Sequence, residues 1–396
     1  MLVQKYKDML SGKSVIRQLS EFATARGQEI GYENVFDYSL GNPSVPVPQE
    51  FTDTMMELLS TKEPSVLHGY SPSLGITSVR EKIAASLEKR FGIPYRKEHI
   101  FMASGAAGAL AHAFRLVTEP GDEILTFAPF FPEYHPYVDL TGAVLKVVPP
   151  NTENFQINFE AFEEMLTDKV MAVMINTPNN PSGIVYSTET VKRLADTLKR
   201  KSDEYGHDIY IISDEPYREI IFEGVDAPCV SSFYENTIMC YSFSKSLSLP
   251  GDRVGYLAFG NDVEDFDNIV YGVAVAARIM GFINAPSLQQ LVVAECCEET
   301  VDISFYDRNR ERLYTALTEM GYEVAKPQGA FYMFVKTPTP DDKAFAQKAK
   351  DYRLIITPGS GFGCSGYVRL SYAVNYETVE GSLPAFKALM EDFKEK

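Results

Sequence analysis

The chain has 396 residues, of which 45% are hydrophobic and 23% charged, and its formal net charge is −17. This length and composition predict a folded protein with a large core and room for two domains. The acidic balance argues against a nucleic-acid-binding or anionic-membrane-binding surface, because both require a basic face.

The sequence contains no run of about 18 apolar residues that would predict a membrane span, and residues 1–20 lack the apolar segment of a secretory signal. We therefore expect a cytoplasmic protein with no membrane partner. The five cysteines form neither a CxxC pair nor an even disulfide framework, so we expect them to be reduced. The five histidines have no metal-like spacing, and we expect no metal site.

The N-terminal part begins with an amphipathic segment, residues 1–31, and a predicted strand, 35–40. The next residues, Gly41-Asn42-Pro43-Ser44, force a turn that leaves backbone N–H groups free, although a plain loop explains them too. Further on, Tyr70 lies in a tight loop where a phenol serves better as a hydrogen-bonding group than as core filler.

From residue 100 the chain alternates between predicted strands and helices, and the first strand, 101–103, leads into a helix that ends near residue 117. Further strands are predicted at 122–127, 144–148, 170–175, 209–213, 237–241 and 254–259. Continuous apolar runs of this kind predict strands buried on both faces of a mainly parallel sheet. Ligands of such sheets bind at the carboxyl ends of the strands, where the polar motifs fall.

After residue 285 the order of elements changes to an α+β pattern. Helices are predicted at 286–299 and 303–321, and strands at 331–335, 354–357 and 367–374. We predict three segments: an N-terminal arm with part of a small domain (1–40), a large domain (41–285) and a small α+β domain (286–396).

One lysine stands among hydroxyl groups in Ser242-Phe243-Ser244-Lys245, and Arg253 follows on the same short segment. A lysine amine can condense with an aldehyde once its charge is suppressed, and hydroxyls with a guanidinium suit a phosphate. Pyridoxal 5'-phosphate (PLP) carries both groups. A serine-rich turn after a strand is the structural alternative.

Two further turns follow predicted strands. Gly105, Ala106 and Ala107 lie between a strand and a helix, where small side chains let a phosphate reach free N–H groups. Close packing of the helix on the sheet would explain them equally well. Asn180 lies between two prolines that fix the backbone, so its amide can point at a ligand oxygen or simply stabilise a turn.

Two buried charges are also expected. Asp214 closes an apolar strand, where a carboxylate needs a cationic partner such as a protonated pyridine nitrogen, unless it caps a helix. Arg369 lies in a strand with apolar neighbours and suits bidentate capture of a carboxylate, unless it forms a structural ion pair. Phe131, in a cluster of aromatic residues, is either core or a stacking ring.

Two short motifs resemble nucleotide sites only superficially. The stretch Gly361-Phe362-Gly363-Cys364-Ser365-Gly366 matches a dinucleotide pattern but leads into a predicted strand instead of a helix. Gly12-Lys13-Ser14 resembles the end of a P-loop that lacks its first glycine.

Taken in this order and at these separations, the motifs from Gly41 to Arg369 resemble the class I/II aminotransferases, which are PLP enzymes of fold type I. The resemblance, closest to the aspartate aminotransferase-like members, implies an α/β fold. Its large domain would have a mostly parallel seven-stranded sheet between helices, beside a smaller α+β domain. It also implies transfer of an amino group from an L-amino acid to a 2-oxo acid, by a ping-pong mechanism through pyridoxamine phosphate.

The resemblance further implies roles for individual residues. Lys245 corresponds to the Schiff-base lysine that moves the proton, and Asp214 to the partner of the pyridinium nitrogen. Tyr217 and Asn180 correspond to the contacts of the ring hydroxyl, and Phe131 to the stacked aromatic ring.

Other residues correspond to those that bind the phosphate and the substrate. The phosphate would be held by Gly105, Ala106, Ala107, Ser242, Ser244 and Arg253. Tyr70 corresponds to a tyrosine that reaches the phosphate of a neighbouring subunit, which implies a homodimer. Arg369 would bind the substrate α-carboxylate, with a backbone contact from Gly41, and Asn180 would also belong to the substrate site.

The chain departs from the family pattern in the turn after Gly105, where Ala106 and Ala107 replace hydroxyl residues. Ser242 and Ser244 would therefore contribute more of the phosphate binding. Arg278 lies near the position where one subgroup recognises a distal carboxylate, with a surface ion pair as the alternative. Two other functions stay open, a fold type I carbon–sulfur β-lyase or related synthase, and a PLP-binding regulator.

Overall fold

A computed structural model describes residues 2–11, 15–260, 263 and 265–394. Gly12-Lys13-Ser14 lies outside the described residues. These residues fold into a mixed α/β structure, and its strands and helices are numbered in chain order.

The strands are short and are numbered from the N-terminus. They are β1 (Phe36–Asp37), β2 (Ile100–Ala103), β3 (Glu123–Phe127), β4 (Val144–Val148), β5 (Val170–Asn176), β6 (Tyr210–Asp214), β7 (Thr237–Ser242), β8 (Gly255–Phe259), β9 (Tyr332–Lys336), β10 (Leu354–Ile355), β11 (Thr357–Pro358) and β12 (Tyr367–Ser371).

The helices precede, separate and follow these strands. They are α1 (Gln4–Ser11), α2 (Val15–Ile30), α3 (Gln49–Thr61), α4 (Pro64–His68), α5 (Thr77–Phe91), α6 (Gly105–Val117), α7 (Tyr134–Asp139), α8 (Phe159–Met165), α9 (Thr188–Tyr205), α10 (Phe243–Ser246), α11 (Phe266–Met280), α12 (Ser287–Glu295), α13 (Ile303–Glu319), α14 (Asp342–Ala349) and α15 (Tyr376–Lys394).

The central sheet has seven strands in the order β2-β8-β7-β6-β5-β3-β4, which confirms the predicted seven-stranded sheet. Every neighbouring pair is parallel except the two that involve β8, which runs antiparallel to β2 and β7. The strands β3, β7 and β8 are buried along their whole length, as their continuous apolar sequences predict.

Helices cover both faces of this sheet because successive side chains of a strand point in opposite directions. In β5, Met174 packs in a cluster with α6, α7 and α11, whereas its neighbours Val173 and Ile175 pack in a second cluster with α8 and α9. A third cluster joins α5 and α12 to the β2 end of the sheet.

The C-terminal part contains a three-stranded sheet, β11-β12-β9, and the short parallel pair β1-β10. All of these strands except β11 share one apolar core with α13 and α15, and Phe36 and Tyr38 from the N-terminal part belong to the same core. The N-terminal and C-terminal parts of the chain therefore pack together, while the assignment of the N-terminal arm to the small domain stays a prediction. The boundaries at residues 40 and 285 stay predictions.

Three predicted strands are wrong in extent, and one of them, the strand expected at 367–374, ends at Ser371. The strand expected at 35–40 is only Phe36–Asp37, because the Ser39 N–H bonds to the Asp37 Oδ1 at 2.9 Å instead of to a neighbouring strand. The strand expected at 354–357 is divided between β10 and β11, whose partners belong to different sheets.

In the part of the chain that the structure describes, no helix combines the length and the apolar character needed to cross a membrane. The cysteines are all free, and all but Cys297 are buried.

Candidate active site

A cavity of about 300 Å³ opens at the carboxyl ends of β5, β6 and β7, which end in Asn176, Asp214 and Ser242. Parallel strands bring these ends to one edge of the sheet, and this is where the sequence places its polar motifs. The other lining residues are Ile16, Gly41, Ala106, Ala107, Leu110, Phe131, Tyr137, Asn180, Pro216, Tyr217, Ser244, Lys245, Pro250, Arg253, Tyr332 and Arg369.

Lys245 reaches the cavity from α10, the single helical turn that follows β7. Its Nζ donates a hydrogen bond to the Gly41 carbonyl oxygen at 2.7 Å and lies 5.5 Å from the centroid of the Phe331 ring. Burial and the positive charges of Arg253 and Arg369 lower the pKa of Lys245 to about 8. A sizeable fraction of this amine is therefore neutral, and nucleophilic, near neutral pH.

Asp214 faces the same cavity from the end of β6. Its Oδ2 accepts a hydrogen bond from the Tyr134 hydroxyl at 2.7 Å, whereas its buried Oδ1 has no hydrogen-bond partner among the described residues. Burial raises the pKa of Asp214 to about 7, against the opposing effect of the Tyr134 hydrogen bond. Turns follow Asp214 instead of a helix, so the helix-capping alternative is wrong.

Arg369 lies in β12 with only 2% of its surface exposed. Its Nη1 donates to the Asn180 Oδ1 at 3.0 Å, its Nη2 donates to the Ser39 carbonyl oxygen, and its Nε has no partner among the described residues. Both acceptors are neutral, so the described part of the chain does not supply the structural ion pair considered above. Asp37 lies near enough to interact with its charge, but a buried guanidinium with no carboxylate in direct contact among the described residues is suited to binding an anion.

Tyr217 is buried beside Asp214 and Arg369, and its hydroxyl lies 2.9 Å from the hydroxyl of Tyr332. Asn176 connects this region to the next loop. Its amide donates to the Asp214 carbonyl oxygen at 2.9 Å, and its Oδ1 accepts from the Asn180 N–H at 2.7 Å.

The turn at Gly105 begins α6, whose first N–H groups are free for a ligand. Gly105 has a φ of +78°, and a Cβ there would lie 2.9 Å from the Arg253 Nη2. The turn therefore requires glycine, both for its backbone conformation and for the approach of the guanidinium. The hydroxyls of Ser242 and Ser244 lie 2.7 Å apart, and Ser242 pairs with Gly255, whose backbone approaches Gly105.

The structure thus brings together the predicted residues at positions 41, 106, 107, 131, 180, 214, 217, 242, 244, 245, 253 and 369. Gly105 adjoins the cavity through Arg253. Tyr70 does not line the cavity, and its side chain is fully exposed. Arg278 is exposed in the last turn of α11 and is likewise remote from the lining.

Sequence reasoning missed Tyr134, Asn176 and Tyr332. Tyr134 belongs to the same aromatic cluster as Phe131, and a ring in such a cluster is expected to pack in the core. Asn176 is the first residue of a recognised asparagine-rich turn. Tyr332 gave no signal, because a tyrosine in an apolar strand is expected in any core.

The seven-stranded sheet with helices on both faces, together with a lysine, an aspartate and an arginine at its strand ends, defines an enzyme of the mixed α/β class. Residues 33–385 match the family model described as aminotransferase class I and II. The chain belongs to this family and is a transaminase, which moves an amino group between an amino acid and a 2-oxo acid.

Two curated relatives cover nearly the whole chain. An aspartate aminotransferase of Thermotoga maritima is 29% identical, over 96% of this chain and 99% of the relative. An aromatic-amino-acid aminotransferase 2 of Thermococcus litoralis is 30% identical, over 96% of each chain. A solved structure described as an amino transferase from Eubacterium rectale is 44% identical, covers 99% of both chains and superposes with a TM-score of 0.97.

Proposed function

We propose that the cavity binds PLP, that Lys245 is its covalent attachment point, and that the chain transfers amino groups between an L-amino acid and a 2-oxo acid in this cavity. One observation carries the proposal: a partly neutral lysine amine, a buried aspartate and a buried arginine whose two hydrogen-bonded acceptors are neutral line one cavity. The cavity volume of about 300 Å³ is at the lower end of the range for small-molecule sites, about 300–1,000 Å³.

The residues present fit the chemical groups of PLP. The orphaned Asp214 Oδ1 is a buried acceptor that lacks a cationic donor, which a protonated ring nitrogen would supply. The free N–H groups at the start of α6, the Ser242 and Ser244 hydroxyls and the Arg253 guanidinium are the donors that a phosphate requires.

When bound, PLP supplies an aldehyde that condenses with amines and a protonated ring that accepts electrons from the α-carbon of an amino acid. The chain supplies the charges and protons around it. Asp214 would provide the negative charge that pairs with the ring nitrogen, and Tyr217 and Asn180 would orient the ring through hydrogen bonds. Phe131, whose side chain lines the cavity, limits the tilt of the ring.

Lys245 carries the proton in this proposal. Its amine is tethered to the Gly41 carbonyl oxygen and, with its pKa lowered to about 8, can both accept and return a proton near neutral pH. Lys245 and Arg369 line the same cavity, so a substrate bound by Arg369 would lie within one site with Nζ.

Arg369 recognises the α-carboxylate that all substrates of a transaminase share. Its guanidinium is held by Asn180 and by the Ser39 carbonyl oxygen, which fixes its plane before substrate arrives. Preorganised donors of this kind bind a carboxylate without a further entropy cost for ordering the side chain.

We also propose that the working unit is a homodimer in the cytosol, with Tyr70 reaching the phosphate of the other subunit. Apolar side chains at Tyr271, Val275 and Ile279, four residues apart on α11, are exposed by 65%, 53% and 67%. The loop of Tyr70 is joined to the residues after α11, because the Ser287 hydroxyl donates to the Gly69 carbonyl oxygen at 2.7 Å. In this proposal a second copy covers both the exposed tyrosine and the apolar side chains of α11.

A panel of L-amino acids added singly to the purified, cofactor-loaded protein tests the proposal. The expected result is a change in cofactor absorption together with one equivalent of 2-oxo acid, reversed by addition of a different 2-oxo acid. Release of ammonia with pyruvate from a cysteine-type substrate would indicate the β-lyase instead. No feature of the described site favours that elimination, and a protein that neither binds PLP nor converts any amino acid would contradict the proposal.

A further inference from the structure

Tyr332 lies between Tyr217, which belongs to the proposed PLP site, and Arg369, which belongs to the proposed substrate site. It is the first residue of β9, 2% exposed, and its hydroxyl lies 2.9 Å from that of Tyr217. The two rings meet nearly perpendicular, with centroids 5.5 Å apart. This contact joins the small C-terminal sheet to the loop that follows β6 in the large sheet.

The same ring also supports Arg369. The Arg369 Cζ lies 4.7 Å from the centroid of the Tyr332 ring and 4.9 Å from that of Phe362. With Nη1 and Nη2 engaged by neutral acceptors, these ring faces are the electron-rich surfaces next to the guanidinium. Loss of the Tyr332 ring would therefore remove one of the two ring faces that support Arg369 and leave Phe362 and the two hydrogen bonds to hold it.

Gly41 makes room for the Tyr332 hydroxyl. A Cβ on Gly41 would collide with the Tyr332 Oη, while the Gly41 carbonyl oxygen accepts the hydrogen bond from Lys245 at 2.7 Å. The backbone at Gly41 thus lies between the Lys245 amine and the Tyr332 ring. This arrangement requires a glycine at 41 once a tyrosine stands at 332.

The direction of the hydrogen bond between the two phenols matters for the cavity. A phenol has one proton, so if Tyr332 donates to Tyr217, the Tyr217 proton is free to point into the cavity that both residues line. Without the Tyr332 hydroxyl, the Tyr217 oxygen loses this donor, and Tyr217 becomes a weaker donor to a ligand.

We propose that Tyr332 is a positioning residue of this transaminase. Its hydroxyl directs the Tyr217 proton toward the ring oxygen of the bound cofactor, and its ring holds Arg369 in place for the substrate carboxylate. The inference rests on the proposed binding of PLP in this cavity. It assigns one role to the Tyr332 hydroxyl and another to the Tyr332 ring, and two substitutions can distinguish the two roles.

Tyr332→Phe removes the hydroxyl and keeps the ring. A weaker hydrogen bond from Tyr217 leaves the ring oxygen of the cofactor more basic, so the pH midpoint of the absorption change of the loaded protein should rise by about half a unit or more. We expect kcat to fall about three- to tenfold and the KM for the amino acid to stay within about twofold. The other charged groups lining the cavity, Asp214, Lys245, Arg253 and Arg369, are unchanged in this variant.

Tyr332→Leu removes the ring as well. We expect this variant to keep the raised pH midpoint and in addition to raise the KM for the amino acid about tenfold, because Arg369 loses one supporting face. If Tyr332→Leu does not fold, the Tyr332→Phe result alone decides the role of the hydroxyl, which is the first half of the proposal.

Tyr322→Phe is the matched control. Tyr322 is also a buried tyrosine of the C-terminal core, but its hydroxyl donates to the Phe386 carbonyl oxygen at 2.8 Å, away from the cavity. The thermal midpoint of each cofactor-free variant reports folding independently of activity. If Tyr332→Phe matches Tyr322→Phe in absorption midpoint and kcat, Tyr332 has no positioning role. If wild-type protein shows no cofactor absorption at all, the proposed function itself fails.

Discussion

At the scale of single residues, burial disfavours the charged forms of Lys245 and Asp214, which water would favour at neutral pH. The Lys245 amine is near its pKa at neutral pH because burial and two guanidinium groups oppose its charge. Asp214 is buried with one oxygen unpaired. Perturbed groups that face one cavity are the pattern expected of acid–base residues.

Replacing Lys245 with alanine should remove both the attachment of PLP and proton transfer. We expect the rate of amino transfer to fall by about 10²- to 10⁴-fold, the usual contribution of a general base, or more. Steady-state transfer and the absorption spectrum of the loaded protein measure the two effects. Lys336→Ala, at an exposed lysine paired with Glu323, is the control. A Lys245→Ala enzyme with the wild-type rate would remove Lys245 from its proposed role.

The raised pKa of Asp214 gives the cofactor-free protein a pH-dependent stability. Ionisation of this buried carboxyl opposes folding, so the stability it contributes is complete below the unfolded pKa near 3.8 and is lost as pH rises through about 7. Asp214→Asn cannot ionise. Relative to wild type, this variant should gain about 3 kcal/mol of unfolding free energy between pH 5 and pH 8.

Denaturant unfolding of both cofactor-free proteins at one fixed concentration measures this difference. In the loaded proteins a ring cation opposite residue 214 should reverse the order, with wild type the more stable. Parallel pH profiles for the two cofactor-free proteins would mean that Asp214 is already ionised without a cation.

At the scale of elements, the strand ends and helix starts determine where the donors are. The start of α6 presents free N–H groups because Gly105 adopts φ +78° and leaves space for Arg253. Ser242 caps α10 by accepting a hydrogen bond from the Ser244 N–H, which fixes the turn that carries Lys245.

Alanine substitutions within α6 should separate these effects. Gly105→Ala forces a side chain into a left-handed conformation, at a cost of about 1–2 kcal/mol, and displaces Arg253. We expect the dissociation constant for PLP to rise about tenfold or more. Gly108→Ala lies one turn further along the same helix, where a Cβ meets only ordinary contact with Ser104.

The control should bind PLP normally and be as stable as wild type or up to about 1 kcal/mol more stable, since alanine favours helix over glycine. Binding is measured by titrating cofactor-free protein with PLP. Equal affinity in the two variants would show that the turn at Gly105 does not contact the phosphate.

At the scale of the whole molecule, the fully exposed Tyr70 and the apolar stripe of α11 define a surface that a second subunit would complete. If Tyr70 acts across that interface, then Tyr70→Asp places a carboxylate near the phosphate bound by the partner. Homodimers of this variant and of Lys245→Ala should both be inactive.

Refolding or co-expressing the two variants together should restore activity. In a mixed dimer, the subunit with an intact Lys245 receives an intact Tyr70 from its partner, so equal mixing should recover about a quarter of the wild-type activity. Lys245→Ala mixed with Arg369→Ala is the control, because those residues line a cavity within one chain and no mixed dimer has an intact site. No recovery in the first mixture would contradict a shared site.

The sequence by itself predicted the seven-stranded sheet and most residues of the cavity. The reason is that buried parallel strands require continuous apolar runs, and such sheets bring polar residues at successive strand ends to one edge. Asp214 and Arg369 stand in apolar strands, Asn180 stands beside Pro181 and Lys245 stands between two serines, so their chemistry is visible in the local sequence.

Only the tertiary structure determined the contacts between side chains distant in sequence. Tyr134 meets Asp214 across 80 positions, and Tyr332 meets Tyr217 across 115. A buried tyrosine has the same local pattern whether its hydroxyl serves the core or a binding site, because the partner is chosen by how the sheets pack. The extents of two predicted strands also depended on tertiary structure. A side-chain hydrogen bond to Ser39 ends β1, and β10 ends where the chain passes from one sheet to another. Neither feature produces a periodic pattern in the sequence.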